Sequence, residues 1–148
     1  MPRQPRQTPE SHVPTAILDS EAVAALAQPK ERGSAARRAQ AVLEVVERLG
    51  GYAIVPAPVV AEVSRGPRRR AAVDHVLNRL PVVATDRAVA QHAGALLQRH
   101  SLGSEHAIDA FVVATAARAG SAVILTADAD DLGRLASGNS AIAIHGLT

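Results

Sequence analysis

The sequence contains no cysteine and no tryptophan, and its aromatic residues are limited to Tyr52 and Phe111. The absence of cysteine excludes disulfide bonds and thiolate metal ligands. The scarcity of aromatic rings argues against a surface that binds single-stranded nucleic acid by stacking its bases. Any binding of nucleic acid would therefore have to rely mainly on phosphate contacts and on shape.

Long hydrophobic runs are also missing. No apolar run approaches the roughly 18 to 20 residues that a membrane-spanning helix requires, and residues 1–14 contain no apolar segment typical of a secretory signal. We therefore expect a cytoplasmic protein without a membrane partner. Lys30 is the single lysine, so the other cationic side chains are arginines. Arginine suits bidentate phosphate contacts, although a GC-rich genome would produce the same bias.

The chain of 148 residues, of which 47% are hydrophobic, is long enough to bury one substantial core. Residues 1–14 are rich in proline, glutamine and arginine and lack apolar periodicity, which predicts a disordered tail. The remaining residues, 15–148, are predicted to form one domain.

Short apolar segments bounded by glycine or proline alternate with segments of helical periodicity. Strands that alternate with helices favour right-handed crossovers and a parallel sheet. The predicted fold class is therefore α/β, a three-layer α/β/α sandwich with a parallel sheet of about five strands. The predicted strands cover about 15–18, 52–55, 81–84, 122–126 and 141–144, and the helices about 20–27, 34–49, 58–65, 68–78, 86–100, 104–119 and 128–135, with Ser34, Asp86 and Ser104 as caps.

Acidic residues occur just after predicted strands or in the first turns of helices. Each has a local explanation, since an acid there can cap a helix or face solvent. However, the carboxyl ends of parallel strands meet at one edge of a sheet, so these acids could converge. At the first of them, Ser20 is expected to cap the helix, which would leave Asp19 free to bind a metal. The acids concerned are Asp19, Glu62, Asp109 and Asp128, with Asp131 close behind.

Carboxylates that are brought together repel one another and raise each other's pKa, and a cation relieves that repulsion. None of the histidines shows a zinc-site spacing, and each is better explained as a single surface or partly buried side chain. His106, one turn before Asp109, would at most border the pocket. Oxygen ligands suit Mg²⁺ or Mn²⁺. Such an ion can activate water for attack on a phosphodiester.

Four segments together resemble the PIN domain family, and within it the VapC-type toxins of toxin–antitoxin pairs. The resemblance covers about residues 15–146 and implies a metal-dependent endoribonuclease, usually a homodimer, that cleaves RNA and is inhibited by a small cognate antitoxin protein. The segments are Leu-Asp-Ser-Glu-Ala at 18–22, Pro-Val-Val-Ala-Glu-Val at 58–63, Ile-Asp-Ala at 108–110 with Ala-Thr-Ala at 114–116, and Leu-Thr-Ala-Asp-Ala-Asp-Asp-Leu at 125–132.

The resemblance implies roles for individual residues. Asp19, Glu62 and Asp109 match the first three acids of the family. Asp128 matches an acid that follows Thr-x, and Asp131 matches a later acid that an aromatic residue usually follows, where this chain has leucine. The hydroxyl residues Ser20 and Thr126 match supporting positions beside the first and fourth acids.

A basic cluster follows Glu62 closely and comprises Arg65, Arg68, Arg69 and Arg70. It is explained equally well as the solvated start of a helix or as a patch that binds the RNA backbone.

Three other functions are weighed against a nuclease. Asp19-Ser-Glu partly resembles the nucleophile loop of haloacid-dehalogenase-type phosphatases, and Asp130-Asp131 resembles their metal pair. That family, like phospho-acceptor receiver domains, normally uses a lysine late in the chain, and none follows Lys30. A PIN-like binding module without activity is the third alternative.

Overall fold

A computed structural model describes residues 13–66 and 70–148 of the chain. The predicted tail lies largely outside the described residues, as does the predicted start of the helix at 68. The strands are β1 (Thr15–Leu18), β2 (Tyr52–Pro56), β3 (Val82–Val83), β4 (Ala122–Thr126) and β5 (Ile142–Gly146). The helices are α1 (Ser20–Ala27), α2 (Gly33–Arg48), α3 (Ala57–Val63), α4 (Arg70–Leu77), α5 (Arg87–Arg99), α6 (Ala107–Ala119) and α7 (Ala129–Leu135).

The strands form one five-stranded sheet in the order β3-β2-β1-β4-β5, and every neighbouring pair is parallel. The chain moves from β1 outward to β3, then returns to the other side of β1 with β4 and β5. Right-handed crossovers in these two directions place α1 to α4 on one face and α5 to α7 on the other. The predicted three-layer α/β fold with a parallel sheet is confirmed.

The two central strands, β1 and β4, are buried on both faces, as expected where helices cover a parallel sheet. Ile17, Leu18, Ile124 and Leu125 are inaccessible to solvent. Burying each such side chain contributes about 1.5–3 kcal/mol. Helix α6 packs close to these strands, with Val112 and five neighbouring or nearby residues of α6 buried. The core is therefore centred on β1, β4 and α6, and most of the predicted acids follow β1 and β4 or begin α6.

The end of α2 shows why two glycines occur in succession. Gly50 has φ +80°, a left-handed conformation that ends the helix as predicted. At Gly51, a Cβ atom would lie 2.0 Å from the carbonyl oxygen of Pro14, so the chain entering β1 leaves no room for a side chain. These contacts fix the starts of β1 and β2 beside each other.

The helix caps predicted at Ser34 and Ser104 are wrong. Helix α2 begins one residue early, after Arg32, so Ser34 lies inside its first turn and no side chain caps the end. Ser104 lies in a 3₁₀ turn (Ser104–His106) that precedes α6, and its hydroxyl does not cap that helix because the turn has moved the helix start to Ala107. Within the described ranges, no helix combines the length and the apolarity needed to cross a membrane.

Candidate metal centre

The direction of strand progression reverses between β1 and β4, and a crevice opens beyond the carboxyl ends of such a strand pair. Leu18 lies opposite Leu125 in the sheet, and the Asp19 N–H donates to the Leu125 carbonyl oxygen at 3.2 Å. The residue that follows β1 is therefore held directly against the last residues of β4. This crevice receives side chains from four helices.

Asp19 is 6% exposed and caps α1, since its Oδ1 accepts the Ala22 N–H at 2.9 Å. The expectation that Ser20 caps this helix and leaves Asp19 free is wrong, because Ser20 already lies within the helix. Burial raises the pKa of Asp19 to about 6. Hydrogen bonds from the Thr126 hydroxyl and from Ala22 oppose that rise, and the negative charges of Glu21 and, less strongly, Asp109 add to it.

Ser20 connects α1 to α3. Its hydroxyl donates a hydrogen bond to Oε1 of Glu62, which lies near the end of α3 and is exposed. Helix α3 starts after Pro56, and Pro58 in its first turn costs no backbone hydrogen bond there. The hydroxyl that follows the first acid thus holds the second acid toward the crevice.

Asp109, in the first turn of α6, is the residue at which the negative charges meet. It is half-buried, and burial is the main reason that its pKa rises to about 6. The charges of Asp128, Glu62 and Asp131 raise that pKa further, and His106 lowers it. Asp109 therefore interacts electrostatically with each of the other four acids expected from the sequence, Asp19 included.

Asp128 and Asp131, both near the start of α7, are held differently. Asp128 is exposed and caps α7 through a long contact of 3.4 Å from the Asp131 N–H to its Oδ1. Its own N–H donates to Oγ1 of Thr126 at 2.9 Å. Asp131 is half-buried, and its carboxylate approaches Asp109. The charge of Asp128 raises the pKa of Asp109 more than that of Asp131 does, but of the two it is Asp131 that places a carboxylate oxygen in the group within 4.8 Å.

His106 is a member of the cluster that sequence reasoning undervalued. One potential ligand atom each from His106, Asp109 and Asp131 lies within 4.8 Å of the others, and this is the one such group of three found among residues 13–66 and 70–148. The spacing of His106 and Asp109, which puts both on one side of the first turn, is the sequence signal that could have indicated it. That Asp131 of α7 joins them could be seen only in the tertiary structure.

The donor set fits a divalent cation. Carboxylate oxygens are the preferred ligands of Mg²⁺ and Mn²⁺, and an imidazole nitrogen is accepted by transition metals. A cation among these groups would offset the repulsion that raises the pKa of Asp109. Asp109 and Asp131, with His106, are the residues placed to bind it directly.

The basic cluster is only partly described. Arg65 and Arg70 are exposed, and Arg70 pairs with Asp74 at 3.7 Å. Arg68 and Arg69 lie outside the described residues. A groove of about 820 Å³ lies elsewhere, between α1, α2 and α4 at the amino ends of β2 and β3, and none of the clustered acids lines it.

The model of the PIN domain family matches residues 16–137. The chain belongs to the PIN domain family. This membership removes the support for a haloacid-dehalogenase or receiver-like protein. A search among curated proteins found no match.

Two solved structures share the fold of this PIN-domain protein. One is a toxin–antitoxin complex from Klebsiella pneumoniae, with a TM-score of 0.60 and 17% identity over 86% of this chain and 95% of the other. The second is VapBC2 from Rickettsia felis bound to a DNA fragment from their promoter, with a TM-score of 0.63 and 16% identity over 89% of this chain and 98% of the other.

Proposed function

We propose that this protein is a metal-dependent endoribonuclease and the VapC-type toxin of a toxin–antitoxin pair. The observation that carries the proposal is the grouping of Asp109 with Asp131 and His106 within 4.8 Å, under the charges of further acids, in a PIN-domain chain. A charged cluster on an otherwise apolar sheet edge costs stability, so a structural role alone does not account for it.

The residues have distinct tasks in this proposal. Asp109 and Asp131 bind the cation, Mg²⁺ or Mn²⁺, and Asp19, Glu62 and Asp128 complete the negative surface around it. When bound, the ion lowers the pKa of a water molecule and stabilises charge on the phosphodiester. Ser20 orients Glu62, and Thr126 orients Asp19.

RNA binding is assigned to phosphate contacts beside the crevice. Arg65 follows α3 within one turn of Glu62 and is exposed, so it can reach a phosphate of a bound strand. Arg70 is exposed as well, although its pairing with Asp74 weakens its contribution. The described residues thus offer charge rather than aromatic stacking, which favours backbone contacts over base recognition.

The similarity to toxin–antitoxin structures supports an antitoxin partner. We propose that a small antitoxin protein inhibits the enzyme, that the toxin is a homodimer, and that both act in the cytoplasm. A neighbouring gene that encodes a small protein co-purifying with this chain, together with a solution mass of about twice 15.3 kDa for the toxin alone, would support these proposals. A monomeric mass would contradict the homodimer.

Cleavage of a structured RNA, assayed with Mg²⁺ or Mn²⁺, tests the enzymatic proposal. We expect cleavage that chelator abolishes and that Asp109→Asn reduces by about 100-fold or more, since this substitution removes a ligand charge. Cleavage that survives both treatments would contradict the mechanism. Absence of cleavage with the metal bound would favour a binding module, and release of phosphate from small phosphoesters would favour a phosphatase.

A further inference from the structure

His106 is positioned as a metal ligand by two helices that are distant in sequence. It immediately precedes α6, one turn before Asp109, and its ring and the Asp109 carboxylate lie within 4.8 Å of an oxygen of Asp131 on α7. The side chain is 27% exposed. It is therefore partly enclosed, yet open enough for an ion to enter.

A local pairing does not account for this position. His106 forms an ion pair with the neighbouring Glu105, but the distance from Nε2 of His106 to Oε1 of Glu105 is 3.8 Å. That distance exceeds a hydrogen bond. Glu105 is also 72% exposed, so solvent screens the attraction. The grouping with Asp109 and Asp131 differs in that one potential ligand atom from each of the three side chains lies within 4.8 Å of the others.

We propose that His106 contributes a nitrogen ligand to the cation held by Asp109 and Asp131, and that the site consequently prefers a first-row transition ion such as Mn²⁺ to Mg²⁺. Imidazole binds transition ions well, whereas Mg²⁺ strongly prefers oxygen ligands and retained water. A site made only of carboxylates and water would discriminate far less between the two ions. The mixed set of one imidazole and two carboxylates supplies the discrimination.

The inference rests on the proposed function in that it concerns the metal of the same site, but its test does not require activity. The full chain is freed of metal with chelator and titrated with Mn²⁺, and free Mn²⁺ is followed by electron paramagnetic resonance. We expect Mn²⁺ to bind about tenfold more tightly than Mg²⁺, measured by competition. His106→Ala should lose about tenfold in Mn²⁺ affinity and change Mg²⁺ affinity by less than about twofold.

Electron spin echo modulation of bound Mn²⁺ reports a coordinated imidazole directly. The wild type should show ¹⁴N modulation that is lost in His106→Ala and retained in the control His92→Ala, which changes an exposed residue of α5. Wild-type Mn²⁺ without ¹⁴N modulation would overturn the inference even if the variant failed to fold, and so would modulation that persists in His106→Ala.

The outcomes also separate the two proposals. Bound Mn²⁺ with ¹⁴N modulation but no RNA cleavage would refute the proposed nuclease activity and support His106 as a metal ligand. Cleavage supported equally by Mg²⁺ and Mn²⁺, without ¹⁴N modulation, would support the nuclease and refute the ligand.

Discussion

Asp19 and Asp86 occupy nearly identical local structures with opposite electrostatics. Each follows a strand and has an extended backbone. The carboxylate of each accepts the backbone N–H of the residue three positions later at 2.9 Å, so that Asp19 caps α1 and Asp86 caps α5. Burial raises the pKa of Asp19 to about 6. Hydrogen bonding from the Val89 N–H, together with Arg118, lowers the pKa of Asp86.

The difference lies in the position of each strand within the sheet. Asp19 follows the central strand β1 and meets β4 and α6, whereas Asp86 follows the two-residue edge strand β3 and faces solvent. The same cap geometry therefore occurs at a buried acid and at an exposed one. What distinguishes Asp19 is its burial among other acids, and Asp86 is a matched control for testing this within the same chain.

The largest expected effect is on RNA cleavage. Asp19→Asn should reduce the rate by about 100-fold or more because a charge of the metal centre is lost, whereas Asp86→Asn should leave the rate within about twofold. Asparagine is as good a cap as aspartate, so both helices keep their ends. Single-turnover cleavage rates at saturating metal check this, and equal losses in both variants would contradict the placement of Asp19 in the metal centre.

The next effect is on stabilisation by metal. A ligand present at about 100 times its dissociation constant stabilises the folded state by about 2.7 kcal/mol. We expect Mn²⁺ to raise the melting temperature of the wild type and of Asp86→Asn by several degrees, and to raise that of Asp19→Asn and Asp109→Asn much less. Thermal melts with and without Mn²⁺ measure this. A shift of equal size in all four proteins would place the ion outside the cluster.

The pH dependence of stability should have opposite signs at the two caps. The raised pKa of Asp19 means that its contribution is fully present below the unfolded value of 3.8 and is lost as the pH rises through about 6. The lowered pKa of Asp86 means that its contribution is present above 3.8 and is lost as the pH falls through the folded value.

Urea unfolding of the metal-free proteins from pH 3 to pH 7 tests these signs. Asp19→Asn should gain stability relative to the wild type as the pH rises from 4 to 7, by on the order of 2 kcal/mol. Asp86→Asn should be less stable than the wild type at neutral pH and approach it in acid. Parallel curves for the two variants would refute the distinction.

The smallest effect concerns arginines. Arg65→Ala should weaken RNA binding a few-fold and lower the salt slope by about 1. Arg118→Ala removes an exposed arginine that pairs with Asp86 and should change neither. Filter binding at several salt concentrations measures both, and an unchanged slope for Arg65→Ala would remove this residue from the RNA site.

The sequence was informative wherever a property is local. The bounds of β1, β4 and α2 were predicted within a few residues. A strand buried on both faces requires an apolar run, and a left-handed turn favours glycine, so both can be recognised in the sequence. The pattern of an acid after a strand, however, describes Asp86 as well as Asp19. Only the resemblance to a family distinguished Asp19 from Asp86, because local sequence spacing does not reveal the order of the strands in the sheet.

His106 shows the same limit. Its spacing to Asp109 was visible in the sequence, but the group becomes a candidate ligand only because α7 packs against α6 and brings Asp131 to both. The caps predicted at Ser34 and Ser104 failed for a related reason. The loops before α2 and α6 determine where each helix starts, and residue preference alone does not.

The buried hydroxyl of Thr126 has one proton and both of its hydrogen-bonding roles are filled. It accepts the Asp128 N–H at 2.9 Å and donates to the Asp19 carboxylate, so the chain of hydrogen bonds has a fixed polarity from β4 toward β1. Thr126 has no access to water, and its hydrogen bond stabilises the charged carboxylate of Asp19 more than the neutral acid. The last residue of β4 therefore opposes, without cancelling, the effect of burial on Asp19, and it favours the anionic form that could bind a cation.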